Sequence, residues 1–379
     1  VAVAGGGAQT GRVPQPSPSS VAVEALGVAV AARVPVLLWG APGTGKTSAV
    51  RDMAAVMGWP CETVIASIRE PSDFAGLPVV GPDGNVRFAP PLWARSLAAA
   101  GYGLLFLDEI STAPPAVQAA LLRVVLERVV GDLALPPGVV VVAAANPPEQ
   151  SADGWDLSAP LANRFCHLEW TVDAGTFAEG ITGGFPPPVV PALPPGWEGQ
   201  LPLARGLVSA FVKVRPGLAC APPAEPSAAG RGWPSPRTWE MAARVWTAAG
   251  AAGAGAECRA ALVRGALGDG AGVEFLAWVD QMDLPDPEAV LADPGSFVLP
   301  ERGDRAYAVL SAVVAAVVAR CTPERWLAGW KVLGRAGAAT PDVAAMAARV
   351  LARNRPDGCV PPVEVKVFLP VLRDAGLLE

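Results

Sequence analysis

Histidine is nearly missing from this 379-residue chain, in which His167 is the single example. Hydrolytic relays that need an imidazole base, and metal centres built from several imidazoles, are excluded by that alone. His167 itself reads as a half-exposed side chain near a strand. Cysteine occurs six times, scattered and never as C-x-x-C, so neither a zinc site nor a disulfide framework is indicated. The thiols are expected to be reduced, as in the cytoplasm. Lysine is scarce, with only Lys46, Lys213, Lys331 and Lys366 among many arginines. An excess of positive charge is missing too: the formal net charge is −6. That argues against a surface that coats nucleic acid, while leaving room for a local basic pore. No apolar run reaches the roughly 18 residues of a membrane span. The longest, at 306–319, stops at Arg320. The start of the chain lacks a basic stretch followed by an apolar one, so a secretory leader is not expected. The Gly-rich and Pro/Ser-rich stretch at 5–20 reads as part of a mobile tail over residues 1–20.

What is present is a phosphate cradle. Gly40-Ala41-Pro42-Gly43-Thr44-Gly45-Lys46-Thr47 fits G-x-x-x-x-G-K-[ST]. Before it, the apolar run 34–39 reads as a buried strand; after it, 48–57 reads as the start of a helix. A glycine-rich turn in that place brings backbone N–H groups against phosphate oxygens, and the helix N-terminus adds a positive dipole end. Lys46 would neutralise β- and γ-phosphate charge, and Thr47 would reach a Mg²⁺ ion. The candidate nucleotide ligands are Gly40, Pro42, Gly43, Thr44, Gly45, Lys46, Thr47 and Ser48.

A second signal is Leu104-Leu105-Phe106-Leu107-Asp108-Glu109, four apolar residues and then two carboxylates at a strand's C-terminal end. Ligands of open α/β sheets bind beyond those ends. Asp108 would hold Mg²⁺ through its water shell, and Glu109 would polarise an attacking water. Asn146 directly follows the wholly apolar run 139–145. Its amide is placed to bond both γ-phosphate and water; the competing reading is a turn former ahead of Pro147-Pro148. Arg164 immediately precedes a final strand at 166–170, and Arg237 opens a helix whose N-cap is Ser235 and whose first residue is Pro236. A cation in a first helical turn costs about 0.3–1 kcal/mol against the dipole, and a nearby phosphate would reverse that sign.

Strand candidates at 34–39, 62–67, 104–107, 139–145 and 166–170 alternate with helical patterns at 48–57, 92–100 and 115–130. This alternation means a mainly parallel sheet with helices on both faces. After Trp170 the chain becomes proline-dense, then helical and alanine-rich at 237–249, 257–267, 273–281, 305–320 and 342–354, with strand alternation returning only at 363–368. The division expected is an α/β core over 21–172, a proline-rich linker with some helix over 173–236, a helical lid over 237–321 and a C-terminal extension over 322–379.

Taken together, these residues resemble the AAA+ family, and its MoxR branch in the clade that carries a hairpin inserted in the second helix. The resemblance runs from Val34 to about Ala249 and rests on 40–47, 104–109, Asn146, 161–165 and 235–237 in the family's order. It implies a P-loop NTPase core with a parallel five-stranded sheet, followed by an all-α lid and a C-terminal helical extension. It makes Asn146 sensor 1, Arg164 an arginine finger acting on a neighbouring subunit, and Arg237 sensor 2 on the lid. Two β-prone runs around Pro82-Asp83-Gly84 look like the inserted hairpin, which in similar proteins faces a central pore, and 131–138 stands where a further hairpin is expected. By this likeness the chain is a cytoplasmic ATPase using ATP and Mg²⁺. It assembles as a homo-oligomeric ring, expected to be a hexamer, and remodels a client or adaptor protein, among which von Willebrand factor A-domain proteins are frequent. Two rival readings remain. One is a DNA-directed motor or loader, opposed by the acidic balance and the lack of an evident DNA-binding module. The other is a nucleotide-gated scaffold with little hydrolysis, opposed by the intact Asp108-Glu109 pair.

Overall fold

The computed structural model of the chain describes residues 18–147 and 157–377. Its centre is a five-stranded parallel sheet in the order β2-β5-β8-β1-β9. The strands are β1 (Val36–Trp39), β2 (Cys61–Ile65), β5 (Tyr102–Asp108), β8 (Gly138–Ala145) and β9 (Cys166–Glu169). Short antiparallel hairpins supply β3 (Leu77–Val80) with β4 (Val86–Ala89), and β6 (Val129–Val130) with β7 (Leu133–Ala134). The expected α/β core is therefore present, and so is the hairpin around Pro82-Asp83-Gly84. All its strand residues are exposed.

The sheet is buried on both faces, which is why its inner strands read as unbroken apolar runs. Along β8, Val140, Val142 and Ala144 enter one core, while Val139, Val141, Ala143 and Ala145 enter the other. β1 and β5 alternate in the same way: Val36, Leu38, Leu104 and Phe106 face one side, Leu37, Trp39, Leu105 and Leu107 the other. On the second side lie α4 (Leu92–Ala100) and α5 (Pro115–Glu127), through Leu97, Val117 and Leu121. α5 stops where Arg128 adopts a left-handed conformation, φ 57°, so the helical reading to residue 130 gives way to β6.

The first side is covered by α1 (Pro18–Ala31), α2 (Lys46–Met57) and three helices from the second half: α10 (Pro236–Ala251), α11 (Ala256–Leu267) and α12 (Asp269–Val279). α1 has no helical signature in the sequence and takes in Pro18 to Ser20, which the composition places in the tail. It is apolar nearly all round, so it carries no periodic stripe to read. Between β9 and α10 run three helices within the proline-rich segment: α7 (Ala174–Gly183), α8 (Leu201–Val214) and α9 (Pro226–Ala229). An aromatic cluster ties this segment to α10 and α12. The ring of Phe211 on α8 lies 5.5 Å from Trp239, 5.3 Å from Phe275 and 5.5 Å from Trp278, centroid to centroid.

A separate core joins α13 (Pro287–Ala292), α14 (Gly303–Ala319), α15 (Pro323–Ala339), α16 (Pro341–Arg353) and α17 (Leu369–Asp374), with Trp326 and Trp330 buried at its centre. This core runs across the compositional limit at 321/322, because α14 and α15 bury their apolar faces together. The strand expected at 363–368 is a 3-10 helix, Val363–Phe368. Val365 and Phe368, three residues apart, are both buried in the core, a spacing that suits three residues per turn and not a strand's period of two. No helix among the described residues is long and apolar enough to cross a membrane.

Phe211→Ala would empty the aromatic cluster that joins α8 to α10 and α12. Its expected cost is about 3–5 kcal/mol, read as a lowered urea midpoint.

Candidate functional site

Parallel pairing sets the site. Trp39, the last residue of β1, is level with Ala145 on β8 and with Glu169 on β9. The next residues, Gly40, Asn146 and Trp170, therefore emerge at one end of the sheet. The backbone N–H of Gly40 bonds the carbonyl of Ala145 at 3.2 Å, and the N–H of Trp170 bonds the carbonyl of Trp39 at 2.6 Å. A Cβ on Gly40 would sit 2.4 Å from the carbonyl oxygen of Trp170, so only glycine fits. From there the chain turns through Gly43 and Gly45, with φ of 77° and 83°, into α2, which starts at Lys46. The N–H groups of Lys46, Thr47 and Ser48 belong to that helix's first turn, whose donors have no intrahelical acceptors. The exposed tip at Pro42 and Gly43 is braced from behind: Thr44 Oγ1 donates to the carbonyl of Ala41 at 2.7 Å, and the indole Nε1 of Trp170 donates to the carbonyl of Thr44 at 3.0 Å.

Lys46 is buried, and its ammonium uses three acceptors: the carbonyls of Gly40 at 2.5 Å and Ala41 at 2.9 Å, and Oδ1 of Asn146 at 3.2 Å. Burial pushes its pKa below the ordinary lysine range, and the Asp108 carboxylate pulls the other way. Asp108 closes β5 and accepts the hydroxyl of Thr47 on its Oδ2 at 2.8 Å. A hydroxyl and a carboxylate this close, beside a lysine, are the hard oxygen donors that Mg²⁺ takes together with water and phosphate, so the pair fits that ion. Glu109 is exposed and sits at φ 56°, a backbone region that non-glycine residues visit rarely and often at functional positions. Its carboxylate accepts the hydroxyl of Ser67, just past β2.

The structure thus brings Lys46, Thr47, Asp108, Glu109 and Asn146 to one sheet end. It brings Arg164 and Arg237 together elsewhere. Arg164 precedes β9, whose first residue, Cys166, is level with Val36 at the start of β1. Its pKa is lowered by burial and then by the like charge of Arg237. Arg237 is held there by the start of α10: Ser235 caps that helix in a capping box with Thr238 and donates to Oδ1 of Asn163 at 2.7 Å. About 10 Å of strand, at 3.3 Å per residue, separates this end of β1 from the phosphate loop.

Three placements were not legible in the sequence. Ser67 read only as the end of a strand; nothing local marks it as the partner of a residue 42 positions away. Trp170 read as a strand terminus, although it braces the loop. His167, expected to be half-exposed, is buried, with both ring nitrogens bonded, one to the Trp39 indole and the other to the Ala162 carbonyl in the turn before β9.

Residues 35–165 match the AAA domain of the dynein-related subfamily. Protein MoxR of Methylorubrum extorquens is 33% identical over 149 residues, which cover 38% of this chain and 42% of that protein. Protein MoxR of Paracoccus denitrificans is 33% identical over 144 residues, covering 37% of this chain and 41% of that one. The matched part therefore spans about two-fifths of the length of either relative. A crystal structure of a candidate ATPase from Cytophaga hutchinsonii aligns at a TM-score of 0.41 and 20% identity, covering 67% of this chain and 78% of that one.

Lys46→Ala leaves the loop backbone in place and removes its buried cation. Calorimetric titration with Mg-ATP should show affinity weakened by at least about tenfold, some 1.4 kcal/mol.

Proposed function

We propose that this chain is an AAA+ ATPase of the MoxR type, which hydrolyses ATP in a ring of its own copies to remodel or activate a partner protein. The observation that carries the proposal is the meeting of Lys46, Asn146, Thr47 and Asp108 at the ends of β1, β5 and β8, with Glu109 beside them. In this reading the loop from Gly40 to Ser48 binds the triphosphate through its N–H groups, and Lys46 exchanges carbonyl oxygens for phosphate oxygens. Thr47 and Asp108 hold Mg²⁺, which supplies charge neutralisation on the phosphates. Glu109 takes the proton of an attacking water, and Asn146, already beside Lys46, aligns that water with the γ-phosphate. Ser67 fixes which way the Glu109 carboxylate points.

Ring assembly is supported by the two arginines. Two guanidinium groups within each other's field, at the end of β1 remote from their own phosphate loop, repel unless an anion lies between them. The phosphates of a neighbouring copy supply that anion, so Arg164 and Arg237 act together in trans. A hexamer, a cytoplasmic location and a von Willebrand factor A-domain partner belong to the same reading. The exposed β3–β4 hairpin, with Leu77, Val79, Val80 and Phe88 open to solvent, is the element such a ring turns toward its client.

Glu109→Gln should keep Mg-ATP binding within about threefold and lose at least about 100-fold in turnover. Turnover at the normal rate would remove Glu109 from the chemistry. Arg164→Ala should lose about 10³-fold in turnover with binding intact. Mixing it with Glu109→Gln should restore measurable hydrolysis, since an interface in which an Arg164→Ala subunit supplies the site and a Glu109→Gln subunit supplies the arginine joins a working site to a working arginine.

A further inference from the structure

His167 has no part in the scheme above, yet its surroundings fix it closely. Its side chain is 8% exposed and both ring nitrogens are bonded. The indole Nε1 of Trp39 can only donate, so Nδ1 of His167 accepts it, at 2.8 Å. The tautomer follows: the proton sits on Nε2, which donates to the carbonyl of Ala162 at 2.9 Å. The two rings are nearly parallel, 13° apart with centroids at 6.2 Å. Burial, with Arg231 acting in the same sense, pushes the imidazole pKa down to about 4, so the neutral ring with one donor and one acceptor is the form present near neutral pH.

The two ends of this bridge are unlike each other. Trp39 directly precedes Gly40 and the phosphate loop. Its ring face is covered by the Arg231 guanidinium, 3.9 Å from the centroid, and Arg231 in turn pairs with Glu169 at 2.6 Å. Ala162 ends α6 (Ala159–Ala162), two positions before Arg164. Its carbonyl also accepts the N–H of Phe165 at 3.1 Å, which occupies its second lone pair. Asn163, between Ala162 and Arg164, is clamped as well: Nδ2 donates to the carbonyl of Trp233 at 2.9 Å, and Oδ1 accepts the Ser235 hydroxyl at 2.7 Å. Ser235 caps the helix that carries Arg237. A turn whose polar groups are bonded in this way moves as one body, and with it both arginines.

We infer that His167 is a positioning residue that ties the phosphate loop of one subunit to the arginine pair which that same subunit presents to its neighbour. The inference rests on the trans reading of Arg164 given above. A shift of Trp39, when the adjoining loop takes up phosphate, passes through Nδ1 and Nε2 to the Ala162 carbonyl. It then reaches Arg164 directly and Arg237 through Asn163 and Ser235. No bond along this route forms a crosslink or transfers a proton; the imidazole acts as a rigid two-ended strut, which a flexible side chain would not replace.

The test separates donor from acceptor. In mixtures of Arg164→Ala and Glu109→Gln subunits, hydrolysis at Arg164→Ala sites uses arginines from Glu109→Gln neighbours. His167→Phe keeps an aromatic ring and removes both bonds. Placed in the Glu109→Gln donor, it should lower the rescued turnover at least about fivefold. Placed in the Arg164→Ala acceptor, it should lower it by less than about twofold. The donor's Mg-ATP affinity, measured by calorimetry, should stay within about threefold of its parent. Equal losses in both placements, or no loss in either, overturn the inference, because a general loss of structure would not distinguish the two subunits. If the parent donor itself gives no rescue, the trans reading falls and takes the strut with it. Trp39→Phe deletes only the indole donor and should give the same donor-specific loss where His167→Phe does not fold.

Discussion

Parallel pairing of β1 between β8 and β9 is the constraint on which the rest of the molecule depends. Because Trp39 is level with Ala145 and Glu169, the residues that follow all three strands leave the sheet at a common end. Asn146 can reach Lys46 only because of that register, and Trp170 can brace the loop for the same reason. A slip by one residue would send Leu37 and Trp39 to the opposite core and turn each bonded side chain to the wrong face. The apolar cores on both faces make such a slip costly, so hydrophobic burial holds the polar geometry in place although it takes no part in the chemistry.

Two groups of cations then stand at opposite ends of the short strand β1. At one end the ammonium of Lys46 is desolvated and leans on carbonyl oxygens, neutral acceptors that stabilise it less than a phosphate would. At the other, burial and then the like charge of Arg237 disfavour the charged form of Arg164. Both arrangements cost free energy in the absence of an anion, and both gain when one arrives. A strained backbone at Glu109 adds a third local cost close to the first group. Local costs of this kind, each borne by a well-packed scaffold, are what a site for a highly charged ligand requires.

Much of the fold was legible in the chain. Five parallel strands, the helices flanking them and the hairpin at Pro82-Asp83-Gly84 could be read because each has a local signature: an apolar run, a helical period, or a turn with a stated backbone requirement. α1 and α8 escaped because the one is apolar nearly all round and the other lies among prolines that suggest extended chain. The stretch 363–368 alternates like a strand but has no sheet to join, and burial of Val365 and Phe368 coils it instead. In the site, residues within motifs were legible; Ser67, Trp170 and His167 were not, since each owes its place to partners far away in sequence.

By itself, then, the sequence determined the local chemistry. The loop from Gly40 to Thr47, the carboxylates Asp108 and Glu109, and Asn146 follow from residue type and neighbours, because a phosphate cradle and a strand-end acid pair are built from contiguous residues. Which of these groups meet was decided only by the tertiary structure. So were the pairing of Arg237 with Arg164 at the far end of β1, the hold of Ser67 on Glu109 and the burial of His167 between Trp39 and Ala162. The reason is physical: those contacts join segments separated by dozens of residues, and only the packing of two cores around one sheet fixes how such segments lie against each other.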